Sequence, residues 1–153
     1  MALLRSDEEI LMTGEELFRR PDLGPCELVN GRIVPLPPTV ADHGFVESRL
    51  TRRLSAYAED TGRGEVMSGE AGIYIRHNPD TVRAPDIAFI SNERLAQRLS
   101  STYLDIAPEL VIEVLSQHDG WGDVMEKIQD YFAAGVARVW IVDSKSRRLH
   151  AHR

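Results

Sequence analysis

The sequence predicts an α/β (α+β) domain in which a mixed central sheet is flanked by helices. Three observations carry this. Two short runs rich in branched apolar residues, Val82–Ile90 and Leu110–Ser116, are bounded by breakers and read as buried strands. Two longer stretches, Asp42–Asp60 and Gly120–Ala134, place apolar residues at helical spacing. The order of elements is helix, hairpin, helix, a run of strands, helix and strands, which suits a mixed sheet better than a purely parallel one.

Each element has a local cause. Thr13-Gly14-Glu15-Glu16 is a capping box that starts a short helix, and Pro21 ends it. Asn30-Gly31 between Glu27–Val29 and Arg32–Val34 is the signature of a type I′ hairpin, closed off by Pro35, Pro37 and Pro38. In Asp42–Asp60 the residues Val46, Leu50, Leu54 and Tyr57 form one apolar stripe, and Thr61-Gly62-Arg63-Gly64 stops the helix. Glu65–Ser68 and Ile73–His77 read as strands, and Asn78-Pro79-Asp80 as a turn. The Val82–Ile90 run is taken as one strand, followed by a short helix over Asn92–Leu99 with an Asn cap and a loop to Pro108. In Gly120–Ala134 the inner face is Val124, Ile128, Tyr131 and Phe132, with Gly135 as the C-terminal glycine. Arg138–Val142 is a strand, and Leu149–Arg153 its partner.

The bulk numbers bound the function. At 153 residues the chain is read as one domain, 1–153, with residues 1–12 expected to pack loosely. Hydrophobic residues are 42% and charged residues 27%, as in globular proteins, and no apolar run approaches the roughly 18 residues that span a bilayer. Met1–Glu9 has no signal-peptide pattern, and Cys26 is the single cysteine, so the expected location is the reducing cytoplasm. A net charge of −6 argues against holding nucleic acid by bulk electrostatics, but a metal-dependent nuclease needs carboxylates. Arg49, Arg52 and Arg53 form a local basic cluster, more simply a solvated helix face. Of 18 basic residues only Lys127 and Lys145 are lysine, which draws attention to positions where a guanidinium will not serve.

Two acids fall inside apolar runs: Asp86, after Pro85, and Glu113, between Val111 and Leu115 on its own face. A buried carboxylate without a partner is costly or loses its charge. Two of them near each other point to a shared divalent cation, Mg²⁺ or Mn²⁺, which takes oxygen ligands. Lys127 lies on the following helix and can reach the same rim. The trio suits metal-assisted phosphodiester hydrolysis, with the lysine orienting water and stabilising charge on the phosphoryl oxygens.

The ordered set Glu27-Leu28-Val29-Asn30-Gly31, His43, Pro85-Asp86, Glu113-Val114-Leu115-Ser116, Asp123 with Lys127 and Tyr131, Gly135-Val136 and Trp140-Ile141-Val142-Asp143 resembles the Uma-two family of restriction endonuclease-like proteins, within the PD-(D/E)xK nuclease superfamily. The resemblance implies a three-layer endonuclease-like core and a metal-dependent endonuclease acting on nucleic acid, with DNA the expected substrate. Asp86, Glu113 and Lys127 are then the catalytic residues. Asp86 and Glu113 are the metal ligands, Glu27 a candidate further ligand and His43 a candidate substrate contact. The superfamily lysine usually follows the second acid by two residues, where this chain has Leu115; Lys127 takes its place from the helix. The loop Ser116-Gln117-His118-Asp119 departs from the family's Ser-Pro-Ser-Thr, and the family continues beyond the equivalent of Arg153. A homodimer fits a protein that cuts both strands.

Plainer alternatives stand beside these. Asp86 and Glu113 can be buried ion pairs with Arg83, Lys127 a helical pair with Asp123 or Asp130, Glu27 an edge-strand glutamate, and His43 a helix cap. Lys127 is expected to be dispensable for folding, because its neighbours Val124, Ile128 and Tyr131 supply the packing. His150 and His152 share a strand face, and Trp121 is read as a loop anchor. The contrasting reading of the whole is a nuclease-fold protein without activity, serving as a binding or regulatory module. A third is an enzyme of other phosphoesters.

Overall fold

Asn30 and Gly31 both adopt positive φ, 50° and 74°, which is what a type I′ turn demands. They join β1 (Cys26–Val29) to β2 (Arg32–Pro35) in the expected hairpin. This is a computed structural model, and it describes residues 10–153. Residues 1–9 of the segment expected to pack loosely lie outside the described residues. The helix α1 (Gly14–Phe18) carries the expected capping box at Thr13, and a 3-10 turn follows at Pro21–Leu23. Strands β4 (Ile73–Arg76) and β5 (Thr81–Arg83) complete a four-stranded sheet in the order β2-β1-β5-β4. Leu17, Leu28 and Val82 make its small core.

The run Val82–Ile90 is not one strand. β5 ends at Arg83, and β6 (Ile87–Ser91) begins a second sheet. The break falls at Pro85, which lacks an N–H for a ladder and lets the chain turn from one sheet into the other. Asp86 therefore sits at a corner rather than within a strand. The second sheet runs β3-β6-β7-β8-β9, with β3 (Gly64–Ser68), β7 (Leu110–Val114), β8 (Arg138–Asp143) and β9 (Arg148–His152). Only β7 and β8 are parallel, and α4 (Trp121–Ala133) makes the crossover that parallel neighbours need. The sheet is mixed, as expected.

Alternation along the strands divides the second sheet into two faces. Ala88, Ile90, Val111, Val139 and Ile141 pack beneath Val124, Ile128 and Tyr131 of α4. Ile87, Leu110 and Ile112 face the other way, towards Leu50 and Leu54 of α2 (Ala41–Thr61). The apolar stripe of α2 fades at its end: Tyr57 is 46% exposed and meets only the edge of Phe89. The short helix α3 (Asn92–Leu95) is shorter than expected, and its cap is Ser91, whose hydroxyl accepts the Arg94 N–H. Gly135, at φ 97°, ends α4 and lets the Val136 N–H return to the Tyr131 carbonyl. No helix among the described residues is long and apolar enough to cross a membrane.

Candidate active site

β6 and β7 pair antiparallel with Ile87 opposite Ile112 and Ala88 opposite Val111. One step further along this register brings Asp86 opposite Glu113. Both then belong to the face that α4 covers, as Ala88 and Val111 do. Asp86 Oδ2 accepts the backbone N–H of Val114 at 2.6 Å, which ties the corner to β7. Glu113 Oε1 accepts the hydroxyl of the fully buried Tyr131 at 2.6 Å. Lys127 sits one turn along from Val124 and Tyr131, so its stem follows the buried face of α4. Its Nζ stands 3.6 Å from Glu113 Oε1 and 3.5 Å from Glu27 Oε1. Neither Asp123 nor Asp130 is its partner; Asp130 pairs with Arg83 and Arg76.

Glu27 is not an edge-strand residue. β1 lies between β2 and β5, and Glu27 is only 1% exposed. Its Oε2 accepts from Arg83 Nη1 at 2.9 Å and its Oε1 from the Ala84 N–H at 2.9 Å. Arg83, the alternative partner for Asp86 and Glu113, is thus committed to Glu27, Asp130 and Glu126. Arg83 remains fully protonated: these carboxylates outweigh its burial and raise its pKa. The buried network explains why an arginine is tolerated inside the domain.

The site's acids are perturbed for identifiable reasons. Burial, with the like charges of Asp86 and Glu27, raises the Glu113 carboxyl to about 7, against the pull of Lys127 and the Tyr131 hydroxyl. Burial works against the charge of Lys127, but Glu113 and Glu27 outweigh it and the amine is raised. Burial and the Glu113 carboxylate hold the Tyr131 hydroxyl well above its usual range, so it stays a neutral donor. His43 does not cap α2; it is buried in the first turn with Nε2 3.3 Å from Asp86 Oδ2. That contact raises its pKa in spite of burial.

These groups open on one cleft of ≈ 650 Å³, counting the space that merges with solvent. Its polar lining is Glu70, Asp86, Glu113, Asp119, His43, His118 and Lys127, and Pro37 and Pro38 contribute to its walls. Four carboxylates face one lysine, so a polyanion enters only if cations neutralise the wall. The donor set fits a hard divalent cation: Asp86 and Glu113 offer carboxylate oxygens, and the like-charge strain on Glu113 is what such an ion relieves. The loop Ser116–Asp119 is closed by the Ser116 N–H to Asp119 Oδ2, 2.6 Å, and lines the same cleft. Glu47 escaped the sequence reading. It stands one turn from His43, and one ligand atom from each of His43, Glu47 and Asp86 lies within 4.8 Å of the others. The i, i+4 spacing of His43 and Glu47 was the available signal. His150 and His152 lie on β9 outside the cleft lining, with His150 against the Trp121 ring; Arg49, Arg52 and Arg53 are exposed on α2.

Residues 15–153 match the model of the Uma2 family, described as "Putative restriction endonuclease". A crystal structure from Anabaena variabilis, described as a putative nuclease belonging to DUF820, superposes with a TM-score of 0.74. It is 19% identical over 93% of this chain and 79% of that one, which establishes likeness of fold. No curated protein matches.

Proposed function

This chain belongs to the Uma2 family, and from that premise we propose that it is a divalent-cation-dependent endonuclease hydrolysing phosphodiester bonds of nucleic acid, DNA in the first instance. The observation that carries the reading is the meeting of Asp86, Glu113 and Lys127 in one cleft, with Lys127 Nζ 3.6 Å from Glu113 Oε1. Asp86 and Glu113 hold the cation, Mg²⁺ or Mn²⁺. When bound, such an ion polarises the scissile phosphate and makes water a better nucleophile at neutral pH.

The chain's own groups divide the remaining work. Tyr131 keeps its proton and donates it to Glu113 Oε1, and Lys127 leans on the same oxygen. That concentrates the donors on one side of the carboxylate and leaves Oε2 to the cation. Val114 likewise engages Asp86 Oδ2 and leaves Oδ1. Lys127, held charged by two carboxylates, orients the attacking water and stabilises charge that grows on the phosphoryl oxygens. Glu27 has both oxygens taken by Arg83, the Ala84 N–H and Lys127, so it acts as the counter-charge that positions Lys127 rather than as a metal ligand.

The test is cleavage of mixed DNA and RNA substrates with Mg²⁺ or Mn²⁺ by the wild type, Glu113→Gln, Lys127→Ala and Lys127→Arg. Activity lost in all three variants is expected. The arginine fails because its planar fork cannot replace a compact charge. Full activity in Lys127→Ala removes the lysine from the mechanism. A wild type that binds no divalent ion and cuts no substrate replaces the reading with a nuclease-fold binding module.

A further inference from the structure

His43 is 4% exposed, and its Nδ1 has no hydrogen-bond partner. A buried ring nitrogen is ordinarily satisfied, so this one requires a cause. The ring is oriented by Asp86: with the Nε2 proton directed at Oδ2, 3.3 Å away, Nδ1 presents a lone pair. That lone pair faces another acceptor, Glu47 Oε2, at 3.7 Å. The separation is too long for a hydrogen bond, whichever atom carries a proton. It is close to what two ligands of one ion require, since donors about 2.1 Å from a tetrahedral centre stand about 3.4 Å apart.

The surroundings supply negative charge and no competing cation. Among the described residues neither Glu47 nor Asp86 pairs with an arginine or lysine; the ion-pair partner of each is His43. Glu70 adds a further like charge beside Glu47. Asp86 meanwhile faces both this group and Glu113, so one carboxylate stands between two donor sets.

We propose that His43, Glu47 and Asp86 form a second divalent-cation site, sharing Asp86 with the Asp86–Glu113 site and taking a borderline first-row ion (Mn²⁺, Co²⁺ or Zn²⁺) in preference to Mg²⁺. The preference follows from the imidazole nitrogen. Mg²⁺ takes oxygen ligands and keeps its waters, whereas the first-row ions accept nitrogen readily. The sharing of Asp86 rests on the reading of Asp86 and Glu113 as a cation site; the His43–Glu47 pair does not.

Chelator-stripped protein titrated with Co²⁺, followed by calorimetry and by visible absorption, with Mg²⁺ in parallel, tests this without an activity assay. Expected are two equivalents of Co²⁺ and one of Mg²⁺ for the wild type. Glu47→Gln and His43→Asn should each lose the second Co²⁺, or weaken it at least about tenfold, and keep the Mg²⁺. Glu47 is half-buried on a helix, so its variant guards against a His43 variant that fails to fold. One equivalent of Co²⁺ in the wild type, or two retained in Glu47→Gln with a native circular dichroism spectrum, overturns the proposal. Glu113→Gln separates the two readings. If it binds Mg²⁺ normally while Glu47→Gln loses a Co²⁺, the endonuclease site fails and the His43 site stands. If it alone abolishes all Co²⁺ binding, the His43 site fails and the endonuclease site stands.

Discussion

Lys127→Met keeps the length of the side chain and removes only the charge, and its effect on stability should depend on pH. At 3.6 Å from Glu113 the lost attraction is about 4.6 kcal/mol in an effective dielectric near 20. The side chain is 24% exposed, and Lys127 is itself desolvated by folding, so roughly half of that should survive as net destabilisation, about 2 kcal/mol. The sign with pH follows from Glu113. Its pKa is raised from 4.5 to about 7 by folding, so in metal-free wild type stability falls as pH rises through that window. Without Lys127 the folded pKa moves higher still. At pH 5.5 Glu113 is protonated in both proteins and only the Glu27 contact is missed. At pH 8.5 the wild type has an ionised, paired Glu113, and the variant loses a further ~1.4 kcal/mol for each unit by which its pKa exceeds the wild type's. Urea midpoints in EDTA at the two pH values measure the difference. Equal stability of variant and wild type at pH 8.5, or the same loss at both pH values, refutes the coupling between Lys127 and Glu113. The outcome also bears on the expectation from sequence that Lys127 is dispensable for folding; its place between two buried carboxylates argues that it is not.

Three further outcomes are expected. Mg²⁺ or Mn²⁺ at a hundredfold excess over its dissociation constant should stabilise the wild type by about 2.7 kcal/mol relative to EDTA, and Asp86→Asn should lose that response; identical melting shifts in both proteins count against the site. Tyr131→Phe keeps the packing of a residue with 0% exposure but strips Glu113 Oε1 of its donor, so it should be destabilised by about 1.5–3 kcal/mol above pH 7 and less at pH 5, read by the same urea titration. Asp80 is held below the usual carboxylate range: burial opposes its charge, but the N–H groups of Gly14 and Asn78 and the His77 ring outweigh it. Its contribution is present above its unfolded pKa of 3.8 and fades as pH falls through the lower folded value. Asp80→Ala should therefore cost about 1–2 kcal/mol at pH 7 and nothing at pH 2, and a pH-independent loss assigns Asp80 to packing alone.

What the sequence by itself determined is whatever a short stretch of chain decides. Asn30-Gly31 sets a type I′ turn because two residues with positive φ suffice for it. Val124, Ile128 and Tyr131 align on one face of α4 because the helical period does, and that face carries Lys127 towards β7. Glu113 between apolar neighbours announced a buried acid before any fold was known. The partners of the charges were decided elsewhere. Arg83 pairs with Glu27 across 56 residues because β1 lies against β5. Pro85 divides a continuous apolar run because the two halves join different sheets, and nothing local distinguishes a corner from a strand that merely contains proline. Glu27 is an inner residue and not an edge one for the same reason: strand order is a property of the whole chain. His43 and Glu47 are visible as a helical pair, but their relation to Asp86 exists only once α2 packs against the end of β6 and β7. A charge buried by tertiary packing must be matched by whichever opposite charge that packing brings within a few ångströms, and sequence separation has no say in which one it is.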